Sequence, residues 1–190
     1  MELHPLIANR RSPRAFDPDA ALAPDVLEAL FEAARWAASH GNTQPARFVV
    51  GLRGDDTFQR VFDVLRPGNQ TWAVRASALV LAARATTDDR GPIPNTEFGL
   101  GLAVQNLVLQ AEHLGLITHQ MGGFDHDAAA RAFGLPADVV PVVVVAVGVP
   151  GDVGLLPPDL QAREHAPRVR KPLSETVFTG AWGNPLLPES

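Results

Sequence analysis

Hydrophobic positions along the chain recur with a helical spacing in several segments. From Asp25 to about Ser39 they return every three or four residues, which predicts an amphipathic helix. The same spacing predicts shorter helices over Asp55–Leu65 and Asp127–Phe133. Glu97–Leu114 is the longest helix candidate and is apolar around most of its circumference. Such a helix belongs in a core or in a subunit interface.

Other apolar segments are short and continuous, as in strands that are buried on both faces. Ala76–Ala83 and Val142–Gly148 are predicted to be strands of this kind, and Arg47–Leu52 is predicted to be a further strand. Arg66–Gln70, which contains a proline and a glycine, is predicted to be a loop. Helices and strands alternate along the chain, which indicates an α/β or α+β fold with three or four core strands.

Length and composition indicate a single globular domain over residues 1–190. Within it, residues 151–190 form a proline-rich C-terminal segment and a tail that is expected to pack on something. The formal net charge of -5 argues against nucleic-acid binding. The longest apolar run, Val139–Val149, is too short to span a bilayer. With no recognisable signal peptide, a cytoplasmic protein that does not contact membranes is expected.

The most distinctive chemistry lies in Arg10–Phe16, which reads Arg-Arg-Ser-Pro-Arg-Ala-Phe. Each guanidinium can hold two phosphate oxygens at once, and the hydroxyl of Ser12 is a further donor. A phosphate-binding segment is therefore one interpretation, and a solvated basic turn is the other. Lys171 is the only lysine of the chain, so arginines are common here and a cluster of them is less distinctive than elsewhere.

Four later segments carry weaker signals, each with a purely structural alternative. The carboxamides of Asn42 and Gln44 could contact a flat heterocycle or could serve only a turn. The remaining candidates are Ser39, Asn69, the pair Gly122–Gly123, and the basic residues Arg168 and Arg170. The six histidines lack the spacing of a zinc hydrolase motif, and the chain has no cysteine, so no metal site is expected.

Taken together, these segments resemble the nitroreductase family. The similarity lies in motifs that follow one another in the family's order over nearly the whole chain: Arg10–Phe16, Ala33–Ser39, Asn42–Val50, Gln105–Leu116, Gly122–Asp125 and Arg168–Leu173. The resemblance implies an α+β fold, a three-layer sandwich with a central, mainly antiparallel sheet flanked by helices. It also implies an intertwined homodimer, with flavin mononucleotide (FMN) bound in a cleft between the subunits.

The family pattern also implies a role for each basic residue. Arg10 and Ser12 would hold the FMN phosphate, together with Arg168 and Arg170 from the C-terminal segment. Arg14 would lie near the N1–O2 edge of the flavin ring and favour its reduced form. Arg11 receives no role from the resemblance.

The remaining candidates would line the flavin ring by the same resemblance. Ser39, Asn42 and Gln44 would come from the partner subunit, Asn69 would bond the pyrimidine edge, and the backbone at Gly122–Gly123 would face N5. His40-Gly41 departs from the small polar residues that the family tends to have there, and Gly122 stands where some members carry an acidic residue.

The implied activity is the transfer of hydride from NADH or NADPH, through FMN, to an electron-poor small molecule such as a nitroaromatic or a quinone. The implied kinetics are ping-pong, and no side chain is required as a catalytic acid. Two alternatives stay open at this point. One is a flavin storage or sensor protein, and the other is a specialised enzyme of the same fold: a dehalogenase, a flavin-destroying enzyme or a peptide-heterocycle dehydrogenase.

Overall fold

A four-stranded antiparallel sheet is the centre of the computed structural model, which describes residues 2–187. Its strands are β1 (Ala46–Leu52), β2 (Ala78–Ala85), β5 (Ile117–Met121) and β6 (Val139–Gly148). They lie side by side in the order β1-β2-β6-β5. Two very short strands, β3 (Thr87–Asp88) and β4 (Gly91–Pro92), form a separate hairpin.

Seven α-helices accompany the sheet within the described residues. In chain order they are α1 (Pro5–Asn9), α2 (Pro24–Arg35), α3 (Asp56–Asp63), α4 (Pro67–Ala73), α5 (Thr96–His113), α6 (His126–Ala132) and α7 (Pro158–His165). The predicted α+β class and the antiparallel sheet are confirmed. The homodimer stays a prediction, because the structure contains one chain.

The two central strands bury their side chains on both faces of the sheet. Along β2, Leu79 and Leu81 join a core with α3, α4 and α6, whereas Val80 joins the opposite core with α2 and α5. Along β6, Val144 and Val145 divide in the same way. Alternate residues of a strand point to opposite faces, so a strand between two helical layers must be apolar throughout. This explains the continuous apolar runs and gives a three-layer sandwich.

Helix α5 covers one face of the sheet and is packed along most of its length. Leu100, Leu107 and Val108 are almost fully buried, and Gly99 lies against the ring of Pro45. Phe98 on the same helix is 70% exposed. The expectation that this helix belongs in a core is therefore confirmed for one side of it.

The prediction of a loop over Arg66–Gln70 was wrong. Helix α4 begins at Pro67, in the first turn, where a missing N–H costs nothing. It then buries Trp72 at 1% exposure against Phe16 and His119. Burial of this large ring outweighs the weak helix propensity of the preceding proline and glycine.

A β-bulge interrupts the pairing of β2 with β6. Ala82 pairs with Val143, but Ala83 pairs with Pro141, so Val142 has no partner on β2. Proline cannot donate a ladder hydrogen bond and is commonly found at such irregularities. The bulge lies where Val142 and Val143 line a cavity described below.

After β6 the chain forms α7 and then little regular structure. The apolar residues of the tail are Phe178, Trp182, Leu186 and Leu187, and Trp182 is 92% exposed. Phe178 packs on Trp182 at 4.9 Å between ring centroids. That the tail packs on another surface stays a prediction. Within residues 2–187, no helix is both long enough and apolar enough to cross a bilayer.

Close packing of α3 on β1 generates a prediction about stability. A Cβ on Gly51 would lie 2.2 Å from the backbone nitrogen of Phe58, which cannot move without shifting α3. We expect Gly51→Ala to lower the free energy of unfolding by about 2 kcal/mol or more, as overpacked sites do. Urea denaturation followed by circular dichroism measures this change.

Gly68→Ala is the matched control for this substitution. A Cβ at position 68 has no neighbour within 4 Å, and the residue lies in the first turn of α4. Its free energy of unfolding should be unchanged within about 0.5 kcal/mol or slightly raised. Equal stability of the two variants would contradict the packing of α3 on β1.

Candidate functional site

The arginine segment, residues 10–14, runs from the end of α1 to the edge of the sheet. The guanidinium of Arg10 donates to Ser12 Oγ at 3.1 Å and to the carbonyl of Arg11 at 2.6 Å. Ser12 Oγ in turn donates to Oε1 of Gln120, on β5, at 3.3 Å. The first helix and the sheet therefore hold Arg10 and Ser12 side by side.

The C-terminal segment brings further cations to the same place. Arg168 donates to the backbone carbonyls of Ala8 and Arg10, and Arg170 lies beside it. These cations and the arginine segment line a cavity of about 230 Å³, here called the basic pocket. Its lining is Arg10, Arg11, Ser12, Pro13, Arg14, Arg163, Glu164, Arg168 and Arg170.

Positive charge is poorly balanced in the basic pocket. Partial burial lowers the pKa of Arg10, and the nearby charges of Arg168 and Arg170 lower it further. Since like charges held together repel each other, the pocket would gain stability from an anion. Six arginines line it, and Glu164 is the single acid among its lining residues.

Arg14 and Arg11 are attached to the end of α7. Glu164 accepts from both the backbone N–H and the guanidinium of Arg14, each at 3.2 Å. Arg11 donates to the carbonyl of Ala166 at 2.7 Å. Arg11 therefore does more than face solvent, because it helps to fasten the arginine segment to the C-terminal segment.

His119 on β5 supports the arginine segment. Its Nδ1 lies 3.1 Å from the carbonyl oxygen of Pro13 and therefore donates to it. Its ring packs on Trp72 at 4.5 Å. Burial, and next the charge of Arg14, lower the pKa of His119, so its neutral form is favoured.

A second cavity of about 440 Å³ shares Arg10 and Ser12 with the basic pocket. Its other walls come from α5, from Gln120 and from the bulged part of β6, and they combine apolar with polar side chains. The basic pocket therefore lies next to a larger cavity that carries less charge. A ligand with a phosphate and a bulky apolar part suits this arrangement.

Asn69 and Gly123 form a separate contact. Asn69 Nδ2 donates to the carbonyl of Gly123 at 3.0 Å, and a Cβ on Gly123 would lie 3.1 Å from that nitrogen. A Cβ on Gly122 would meet nothing within 4 Å. A side chain at position 123 would therefore crowd the amide of Asn69, whereas at position 122 the backbone is open.

Ser39, Asn42 and Gln44 form a third group on an exposed loop. Ser39 Oγ accepts from the backbone N–H of Gln44 at 2.9 Å. Asn42 and Gln44 both have positive φ angles, at 57° and 48°. This backbone conformation is energetically unfavourable for residues other than glycine, and such strain is concentrated at functional sites.

The structure thus divides the predicted site residues into three groups. It brings Arg10, Ser12, Arg14, Arg168 and Arg170 around one pocket. The pair Asn69–Gly123 and the loop at 39–44 are not part of that lining. No cluster of three or more potential metal ligands occurs in residues 2–187.

Sequence reasoning missed Gln120, His119 and Glu164. Gln120 and His119 lie next to each other on β5, the shortest strand of the four-stranded sheet. Glu164 lies on α7, a helix that the proline-rich composition of the C-terminal segment obscured. Pro158, at the first helical position where proline is favoured, was the available signal.

Comparison with known proteins assigns the chain to a family. The model of the nitroreductase family matches residues 7–71 and 54–149. An uncharacterized 15.4 kDa protein from the ask 5' region of Mycolicibacterium smegmatis is 38% identical over 148 residues, or 74% of this chain and 99% of that protein. Protein DrgA of Synechocystis is 30% identical over 179 residues, covering 78% of this chain and 84% of the relative.

A solved structure is similar over almost the entire chain. The crystal structure of an oxidoreductase containing FMN has 33% sequence identity to this protein and a TM-score of 0.91. The similarity covers 97% of this chain and 94% of that one. Because the family model matches well over half of the chain, the chain belongs to the nitroreductase family.

Proposed function

We propose that this protein is an FMN-dependent oxidoreductase that takes electrons from NADH or NADPH and passes them to a small electron-poor acceptor. The observation that carries the proposal is the basic pocket, where Arg10, Ser12, Arg168 and Arg170 converge without an equal number of acids. The similarity of the chain to an oxidoreductase containing FMN supports the phosphate of FMN as the anion that binds there.

The residues of the pocket fit the phosphate of FMN. Guanidinium groups bind phosphate oxygens in pairs, and a serine hydroxyl adds an uncharged donor. Burial and then the charges of Arg168 and Arg170 lower the pKa of Arg10, and a bound dianion would relieve that repulsion. The adjoining cavity of about 440 Å³ leaves space beyond the phosphate for the rest of a ligand.

Each remaining residue receives a role in this proposal. Arg14 serves the flavin ring and favours its reduced form through its positive charge. Asn69 and the backbone at Gly122–Gly123 serve the ring edge, and the loop at 39–44 approaches from a partner subunit of a homodimer. That loop is exposed and strained in the single chain, which supports a role outside its own subunit.

When bound, FMN supplies the redox chemistry, accepting hydride from a nicotinamide and returning electrons to an acceptor such as a nitroaromatic or a quinone. The chain binds and orients that cofactor. His119 is half-buried and bonded to the carbonyl of Pro13, and burial lowers its pKa, which supports a role in holding the arginine segment.

The test of this proposal is reconstitution. We expect the purified protein, loaded with FMN, to show flavin absorbance that bleaches anaerobically with NADH or NADPH and returns on addition of a nitroaromatic or a quinone. The rate of return should exceed the rate with oxygen alone. Failure to bind FMN, or bleaching without faster reoxidation by any acceptor, would contradict an oxidoreductase.

Arg10 provides a test of the phosphate assignment. A hydrogen bond to a charged group contributes about 1.5–3 kcal/mol, so Arg10→Ala should raise the Kd for FMN roughly tenfold to hundredfold. Binding of riboflavin, which has no phosphate, should change much less. Fluorescence titration with both flavins measures the two constants.

Arg131→Ala is the matched control for Arg10→Ala. Arg131 is an exposed arginine on α6, and its loss removes the same charge without touching the basic pocket. Its affinity for either flavin should be unchanged. Equal losses of FMN and riboflavin binding in Arg10→Ala would remove the phosphate assignment.

Arg14 provides an independent test at the flavin ring. Because a positive charge beside the ring favours the reduced cofactor, Arg14→Ala should lower the midpoint potential of bound FMN. Spectroscopic redox titration against a reference dye measures this shift. An unchanged potential would show that Arg14 does not lie near the ring.

A further inference from the structure

One carboxylate holds Arg14 at two points. Oε2 of Glu164 accepts from the backbone N–H of Arg14, and Oε1 accepts from its guanidinium, both at 3.2 Å. The side chain of Glu164 is 8% exposed and that of Arg14 is 22% exposed. A pair held at two points and largely withdrawn from water fixes both the main chain and the direction of the side chain.

Glu164 holds only one of the cations around the basic pocket in this way. Arg14 lines the same cavity as Arg10, Arg168 and Arg170, which we assign to the phosphate. A free guanidinium at position 14 would be drawn toward a dianion bound among them. The ion pair with Glu164 opposes that movement.

We propose that Glu164 is a positioning residue that keeps Arg14 away from the phosphate and directs it to the flavin ring. This inference rests on the proposed function. Arg11 and Arg168 make parallel contacts, to the carbonyls of Ala166 and Arg10, so the end of α7 and the segment after it are already fixed beside the arginine segment. Glu164 therefore acts from a segment that is fastened to the arginine segment at other points as well.

A positioning role of Glu164 and a purely electrostatic effect of its charge predict opposite shifts of the midpoint potential of bound FMN. Removal of a nearby negative charge should raise the midpoint potential of bound FMN, because the reduced cofactor becomes easier to form. If Glu164 instead keeps Arg14 at the ring, its removal should lower the potential, as Arg14→Ala does. The freed Arg14 should also strengthen binding of FMN relative to riboflavin.

The experiment compares FMN-loaded Glu164→Ala, Arg14→Ala and the double variant with the unaltered protein. We expect a lower midpoint potential in Glu164→Ala, and no further lowering when Glu164→Ala is added to Arg14→Ala. The ratio of the riboflavin Kd to the FMN Kd should rise about tenfold in Glu164→Ala, the effect of one added charged hydrogen bond. Redox titration and fluorescence titration provide the two readouts.

Two further variants keep the test decisive. Glu28→Ala removes an exposed acid of α2 and should leave both readouts unchanged. If Glu164→Ala does not fold, Glu164→Gln takes its place, since the amide keeps an acceptor for the N–H of Arg14 but loses the ion pair. The same signs are expected for it.

Different results would contradict the proposed function and the positioning role of Glu164. Absence of FMN binding in the unaltered protein would overturn the proposed function. Normal FMN binding, with a potential that rises or stays unchanged in the Glu164 variants, would overturn the positioning role alone. The positioning role would also be overturned if Glu164→Ala lowered the midpoint potential equally in the unaltered protein and in Arg14→Ala. Glu164 would then act independently of Arg14.

Discussion

The attachment of the C-terminal segment to the arginine segment is the interaction on which the proposed site depends. Residues 8–14 and 164–168 are at least 150 positions apart, yet hydrogen bonds from Arg11, Arg14 and Arg168 join them directly. These contacts place like charges close together, which is unfavourable in the absence of an anion. A ligand with a phosphate would turn this repulsion into attraction.

The sheet provides the rigid base for that attachment. β5 supplies His119 and Gln120, which contact Pro13 and Ser12 from adjacent positions. The strand is held against β6, whose side chains are buried on both faces. Packing of Trp72 on His119 then links α4 to the same base. A site built on strands and a buried ring varies less in geometry than one built on loops alone.

Sequence patterns predicted the parts of the structure that depend on local spacing. The helix over Glu97–Leu114 and the strand over Arg47–Leu52 differ from the observed bounds by one residue at each changed end. Arg66–Gln70 was missed as a helix because a long-range contact of Trp72 decides it. α7 was missed because a short helix in a proline-rich segment has no clear apolar period.

The site was predictable to the extent that its residues carry a distinctive chemistry. The arginines at 10, 14, 168 and 170 stand out in the sequence, and the structure brings them to one pocket. Glu164 does not stand out, because nothing in its local sequence indicates that it will face Arg14. The contact arises from the path of the chain after β6, which local patterns do not encode.

The central claim is that the basic pocket binds the phosphate of FMN, and a crystal structure of the protein grown with FMN tests it most directly. The account predicts phosphate oxygens within about 3 Å of the Arg10 guanidinium and of Ser12 Oγ, with Arg168 and Arg170 around them. A phosphate bound away from this pocket, with the arginines still facing one another, would contradict the account.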